Sequence, residues 1–158
     1  MLKISELKSF VRFVNTLLFL SALAVGCATQ QFRPVFEGTR WRLTEFDGRN
    51  ISALGISAPV ELQLDPATHR VSGSSGVNRI AGTYQIAGKR ISFGPLIGTR
   101  MAGTPEAMRF ESDYLTVLGK IDEWSLTDGK LELRAGPEIM ATYLPIPPPG
   151  SVDASPAQ

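Results

Sequence analysis

Apolar and polar residues alternate with a period of two along much of the middle of the chain. The alternation is clear at residues 41–45 and 60–64, and the second segment ends at the turn-forming pair Asp65-Pro66. A period of two puts apolar side chains on one face of an extended chain, as in strands with one buried face. Residues 139–144 are predicted to form a closing strand.

Two longer segments predict β-hairpins. Residues 82–93 contain two alternating runs separated by Ala87-Gly88-Lys89. Residues 124–133 contain two more runs joined at Asp128-Gly129, a dipeptide that favours tight hairpin turns. Most of the fold is therefore expected to be antiparallel sheet.

Residues 104–119 break this pattern and predict a helix. Thr104 is a suitable N-cap, Pro105 suits the first helical position, and Glu106 is an acid in the first turn. Apolar residues then recur at spacings of three and four; they are Ala107, Phe110, Tyr114, Val117, Leu118 and Ile121. The polar face is assigned to Glu106, Arg109, Glu111, Asp113 and Lys120. The predicted fold class is α+β, a small, mostly antiparallel curved sheet with one amphipathic helix packed on it.

The core of this domain is predicted from the same two periods. The side chains expected to be largely buried are Trp41, Leu43, Leu62, Tyr84, Phe93, Phe110, Val117, Leu118, Trp124 and Leu133. The folded domain is assigned to residues 39–144. Residues 27–38 are read as a tether, and the Pro-rich residues 145–158 as a disordered tail.

The N-terminus has the layout of a secretory signal. A basic start precedes a short apolar run at residues 17–26, and Cys27, the one cysteine of the chain, follows. Residues 23–27, Leu-Ala-Val-Gly-Cys, resemble a bacterial lipobox with its leucine displaced by one position. Residues 1–26 are thus predicted to be a lipoprotein signal peptide and Cys27 the lipid attachment site. An ordinary signal peptide and an uncleaved anchor are the alternatives, but the apolar run is half of the roughly 20 residues that span a bilayer.

Lipidation of Cys27 would place the protein in the cell envelope, attached to the membrane through its N-terminal lipid. Ala28 is not the aspartate that retains lipoproteins in the inner membrane. In an organism with two membranes, the outer membrane facing the periplasm is therefore expected.

Charge and composition argue against several classes of function. Removal of residues 1–26 takes away three basic residues and Glu6, so the formal charge of +1 falls to −1. A near-neutral chain has no basic surface of the kind that binds nucleic acid. With one cysteine and one histidine, the chain is not expected to hold a metal or another cofactor. A monomer is expected, with an envelope protein as a possible partner.

Two motifs in the middle of the chain are similar to a known family. Residues 76–79 read Gly-Val-Asn-Arg, residues 82–84 Gly-Thr-Tyr, and residues 99–103 Thr-Arg-Met-Ala-Gly before the predicted helix. This pattern resembles the META domain, also called the HslJ-like family of bacterial envelope and heat-shock-associated proteins. The resemblance covers residues 39–144, and it implies a small antiparallel β structure with one helix.

The chain departs from the family pattern at two positions. Val77 and Gly103 stand where the family commonly has cysteines. If those cysteines form a disulfide in relatives, the resemblance implies that residues 77 and 103 are neighbours in space. A redox or metal role for the pair is excluded in this chain.

Three residues of the motifs are candidates for binding. Asn78 is expected to fold its amide onto the loop backbone. Arg79 and Arg100 either converge as a site for an anion or a partner, or one of them pairs with Glu106 or caps strand-end carbonyls. Thr99 and Met101 are expected to pack or to form hydrogen bonds at the strand end.

No catalytic constellation emerges from the sequence. A Ser-His pair would need His69, which lies in a predicted exposed turn, and residues 73–77 lack the last glycine of a nucleophile elbow. The chain is expected to be a non-enzymatic envelope lipoprotein that acts in stress tolerance or envelope integrity, as the resemblance implies. An inhibitor or binding module for an envelope hydrolase is one alternative. It would need projecting loops, for which residues 73–76 and 94–98 are candidates. A carrier for a small apolar ligand is the other, and it would need an apolar pocket of roughly 300 Å³ or more.

Overall fold

The computed structural model of the protein describes residues 35–149 and residue 151. The predictions for residues 1–26, for Cys27, for most of the tether and for most of the tail lie outside this part of the chain. The strands are β1 (Arg40–Phe46), β2 (Arg49–Asn50), β3 (Val60–Asp65), β4 (Arg70–Ser75), β5 (Arg79–Ala87), β6 (Arg90–Phe93), β7 (Ile97–Gly98), β8 (Glu123–Thr127), β9 (Lys130–Ala135) and β10 (Glu138–Ile146). A short 3-10 helix covers Ile51–Leu54, and helix α1 covers Pro105–Leu118.

The strands form one antiparallel sheet that closes on itself. Strand β1 pairs with β3 on one side and with β10 on the other, and the ring continues through β4, β5, β6, β8 and β9. The join between β6 and β8 is the narrowest, with the single residue pair Arg90 and Glu123. The prediction of a mostly antiparallel curved sheet with one packed helix is confirmed, and the curvature extends to a closed barrel.

Local signals in the sequence predicted the two hairpins and the helix correctly. Strands β8 and β9 meet at Asp128 and Gly129, whose φ angles of 51° and 74° are those of a tight hairpin turn. Strands β5 and β6 form the other hairpin. The Thr104 hydroxyl accepts a hydrogen bond from the Ala107 N–H at 3.2 Å, so it caps α1 as expected.

The core lies inside the barrel, against one face of α1. Phe46 contacts the rings of Phe110 and Tyr114 edge-on, with centroids 5.3 and 5.9 Å away. The Tyr114 and Tyr143 hydroxyls lie 3.0 Å apart in the interior, and burial raises the pKa of both phenols. Seven of the ten residues predicted to be in the core are buried; Phe93, Val117 and Trp124 are only partly buried at its edge.

The folded domain begins earlier than predicted. Phe36, assigned to the tether, is 4% exposed; its ring stacks on Trp124 with centroids 4.2 Å apart. Its carbonyl accepts a hydrogen bond from the Trp41 indole at 2.9 Å. The tether prediction is therefore wrong for its last residues. At the other end β10 continues to Ile146, so the assigned tail begins two residues too early.

The prediction of a flexible, projecting loop at residues 73–76 is also wrong. Gly73 lies within β4, opposite Leu62 of β3. A Cβ atom at Gly73 would lie 2.0 Å from the Glu61 carbonyl oxygen, so any side chain here would force the two strands apart. The glycine is needed for close packing in the barrel wall rather than for mobility. In the second predicted loop, Ile97–Gly98 forms β7 against β5.

Candidate functional site

A buried carboxylate connects α1 to the barrel wall. Glu111, assigned to the polar face of the helix, is only 9% exposed, so that assignment is wrong. Its Oε2 accepts hydrogen bonds from the Ser75 hydroxyl at 2.8 Å and from the Asn78 main-chain N–H at 3.2 Å. Glu111 lies three and seven residues before the buried Tyr114 and Leu118, and this helical spacing was the available signal for its burial.

Asn78 links the same carboxylate to the segment that precedes the helix. Its Nδ2 donates to Glu111 Oε1 at 2.9 Å, while its Oδ1 accepts from the Thr99 hydroxyl and the Met101 N–H, each at 2.8 Å. The expectation that this amide binds loop backbone agrees with the Met101 contact. The amide supplies a donor on one side and an acceptor on the other, as this position requires. Ser75, Asn78, Thr99, Met101 and Glu111 are called the Glu111 network below.

Within the network, hydrogen bonds stabilise the buried carboxylate of Glu111. Within residues 35–149 and 151, no Lys, Arg or His lies within ion-pair distance of Glu111. The Ser75 hydroxyl also lies 2.9 Å from the Asn78 carbonyl, which already accepts from the Ser75 N–H. We therefore assign the single hydroxyl hydrogen to the carboxylate. These groups are occupied with one another, so the network holds three chain segments together.

The two candidate arginines, Arg79 and Arg100, do not line a common site. The main chain of Arg79 exchanges hydrogen bonds with Thr99, the neighbour of Arg100, but both arginine side chains are exposed. Neither pairs with Glu106 or with another carboxylate in the described part of the chain, so the predicted pairing is wrong. Arg79 lines a surface groove to which Arg100 does not contribute.

This groove crosses the outer face of the barrel and has a volume of about 600 Å³. We call it the β4 groove because it is centred on β4. Its lining residues are Arg40, Pro59, Glu61, Leu62, Gln63, Ser72, Gly73, Ser74, Arg79, Ile80 and Ala81. The groove is a concave surface that includes one of the sequence-predicted site residues, Arg79.

The histidine lies at a separate site. His69 is exposed in the turn between β3 and β4, and its ring meets that of Tyr84 edge-on at 5.8 Å. The Tyr84 hydroxyl donates to the Glu37 carboxylate; burial, together with this hydrogen bond, raises the pKa of Tyr84. No serine hydroxyl is hydrogen-bonded to His69 among the described residues, and their His, Cys, Asp and Glu side chains form no group arranged to hold a metal.

Val77 and Gly103 lie directly against each other. A Cβ atom on Gly103 would lie 3.6 Å from the Val77 Cβ, within the spacing of about 3.5–4.5 Å found in disulfides. The Val77 methyl groups occupy the space beside the glycine, at 2.9 and 3.1 Å from that Cβ position. The proximity implied by the resemblance is therefore present, with an apolar contact between the two positions.

The Glu111 network gives a prediction about stability. Asn78→Asp keeps the acceptor for Thr99 and Met101 but places a second carboxylate against Glu111. At neutral pH this is expected to lower the free energy of unfolding by about 2–4 kcal/mol.

Urea unfolding at neutral pH, with Asp113→Asn on the exposed face of α1 as a control, measures this effect. Adding Glu111→Gln to Asn78→Asp reverses the donor and acceptor and should recover much of the loss. A deficit that is unchanged by the second substitution would contradict the assigned hydrogen bonds.

A second prediction concerns the apolar replacement of the cysteine pair. In a Cys27→Ser background, Val77→Cys with Gly103→Cys is expected to form a disulfide under oxidising conditions. Closure of a loop of about 25 residues should add about 3 kcal/mol of stability, less any strain. Thiol counting and urea unfolding measure the result, with the two single variants as controls. Persistent free thiols would show that the two positions do not approach as described.

Comparisons with known proteins agree with this architecture. Residues 34–143 match the model of the META domain family. An NMR structure of a protein from Burkholderia xenovorans is similar at 28% identity over 70% of this chain and 83% of that chain, with a TM-score of 0.58. A crystal structure of a DUF4847 family protein from Bacteroides vulgatus shares the fold at 15% identity, covering 69% of this chain and 91% of that chain, with a TM-score of 0.50. None of the curated proteins compared with the chain matches it. Because the family model spans most of the chain and both of its motifs, the chain belongs to the META domain family.

Proposed function

We propose that this protein is a lipid-anchored, non-enzymatic binding module of the bacterial cell envelope. The observation that carries the proposal is the use of the motif residues. Asn78 and Thr99 are engaged in the Glu111 network. Val77 packs on Gly103. With these motif residues devoted to architecture, the outer surface of the barrel, including the exposed side chain of Arg79, remains for recognition.

The anchor in this proposal is the lipid on Cys27, which follows from the signal-like residues 1–26. No helix among the described residues is long and apolar enough to cross a membrane. In a cell with two membranes, we place the module on the outer membrane facing the periplasm, since Ala28 follows the cysteine. Its proposed role there is in stress tolerance or envelope integrity.

The interior of the barrel does not favour the carrier alternative. Large side chains fill it, and Trp41, Leu62, Tyr114 and Tyr143 are each fully buried. The β4 groove exceeds the volume that a carrier would need, but it lies open on the surface, and charged and hydroxyl side chains stand among its apolar lining groups. An open groove of this kind would leave much of an apolar ligand in contact with water.

One observation favours the inhibitor or partner-binding alternative. Ile97 and Met101 are 69% and 61% exposed on the segment between β5 and α1, and the Glu111 network holds the backbone of Met101 in place. Exposed apolar side chains on a fixed segment are typical of contact surfaces for a protein partner.

Capture from an envelope extract tests this second candidate. The wild-type protein is expected to retain a partner that Met101→Ser loses, because the exposed thioether contributes apolar contact area. Met108→Ser, a change of another exposed methionine, serves as the matched control. Equal capture by all three proteins would argue against this segment as the contact.

The lipid anchor is tested by metabolic labelling. Cells that express the wild-type protein are expected to incorporate a palmitate analogue into it and to retain it in the membrane fraction. Cys27→Ser should lose the label completely, because no other thiol exists in the chain, and should leave the precursor uncut or release the protein in soluble form. Equal labelling of both proteins would refute lipidation at Cys27.

A further inference from the structure

The β4 groove is built by the register of three neighbouring strands. Glu61 of β3 pairs with Ser74 of β4, and Ser74 pairs with Arg79 of β5. The neighbouring row of outward-facing side chains consists of Gln63, Ser72 and Ala81. Because β4 contributes only Ser72 and Ser74 to the outward face at the groove, the groove has a low hydroxylated floor between taller walls.

Arginines dominate the walls of this groove. On one side, Arg40 and Arg42 both bind the Glu61 carboxylate at 3.0 Å, and their side chains remain 59% and 54% exposed. On the other side, Arg79 has no carboxylate partner among the described residues. Arg40, Arg79 and Glu61 give the lining of the groove a formal charge of +1, and Arg42 lies beside it on Glu61. Arg79 therefore shares its surface with Arg40, whereas the sequence had suggested Arg100.

The floor of the groove offers side chains for recognition rather than main chain. Strands β3 and β4 are each paired on both sides, so their main-chain hydrogen-bonding groups are engaged in the barrel. An extended peptide therefore cannot add to the sheet here as a further strand. The available groups are the hydroxyls of Ser72 and Ser74 and the amide of Gln63, which suit a ligand that carries hydroxyl groups.

The charge and the size of the groove together specify the ligand class. A phosphate monoester carries a charge of about −1.5 to −2 at neutral pH, opposite in sign to the net positive charge of the groove lining. Arginine binds phosphate through paired N–H donors, and a volume of about 600 Å³ is that of a small-molecule site. We propose that the β4 groove binds a phosphate monoester of a polyhydroxylated compound, with a sugar phosphate as the simplest example. The phosphate lies at Arg79 and Ser74, and the hydroxylated body lies over Ser72 and Gln63.

This assignment rests on the proposed function, because it gives the binding module a ligand. The test is a titration of the full-length protein in mild detergent with glucose 6-phosphate, followed by amide chemical shifts in NMR spectra. Saturable shifts are expected at residues 72–74 and 79–81. Arg79→Gln should weaken binding about tenfold, whereas Arg49→Gln, an exposed arginine outside the groove, should change affinity less than about twofold.

A pair of variants matched in shape but different in charge separates electrostatics from shape. Ser72→Asp adds a negative charge to the floor and should weaken binding about tenfold, whereas the isosteric Ser72→Asn should retain affinity within about threefold. Both substitutions lie on the solvent-facing side of β4, so urea unfolding should show that both variants fold.

Titrations with related ligands test which part of the sugar phosphate the groove recognises. Glucose should not bind, and both inorganic phosphate and glucuronate should bind more weakly than glucose 6-phosphate. Absence of saturable shifts, equal losses in Arg79→Gln and Arg49→Gln, or preference for glucuronate or inorganic phosphate would overturn the proposal. Loss of palmitate labelling in Cys27→Ser reports on the anchor alone, so failure of the ligand assignment is distinguishable from failure of the proposed function.

Discussion

A buried carboxylate that receives only hydrogen bonds, from Ser75 and Asn78, determines how the parts of this domain fit together. The Glu111 side chain lies on the inward face of α1 and is buried from water. Burial of a carboxylate is energetically acceptable only if hydrogen-bond donors contact its oxygens. Asn78 supplies two of those donors and at the same time holds the segment that carries Thr99 and Met101. Removal of one member would leave a buried charge or dipole without a partner, so the helix, the strand end and the loop are stabilised together.

Much of the secondary structure was predictable because its signals are local. Thr104-Pro105 marks the start of α1, and Asp128-Gly129 marks a hairpin turn, each through backbone preferences of a few residues. Closure of the barrel has no such signal. The pairing of Leu43 with Tyr143 joins distant parts of the chain, and alternation alone does not specify the partner of a strand.

The errors have related physical causes. Residues 72–75 are glycine and serine, which have weak strand preference, yet pairing with β3 and β5 on both sides makes them a strand. Phe36 precedes the first alternating segment and has no periodic neighbours, so its burial against Trp124 depends on a tertiary contact. In the Glu111 network, the contact of the Asn78 amide with loop backbone was predicted, whereas its contact with Glu111 was not. Glu111 was assigned by its charge although its spacing from Tyr114 indicated the inward face.

The burial of Phe36 limits how far the barrel can lie from a lipid on Cys27. Eight residues lie between Cys27 and Phe36, which makes nine steps along the chain, and an extended chain spans at most about 3.3–3.6 Å per step. A lipid on Cys27 would therefore keep the near side of the barrel within about 30 Å of the bilayer surface. Whatever the barrel binds must come to that surface, so the protein would sample a thin layer beside the membrane and would not extend across a wide compartment.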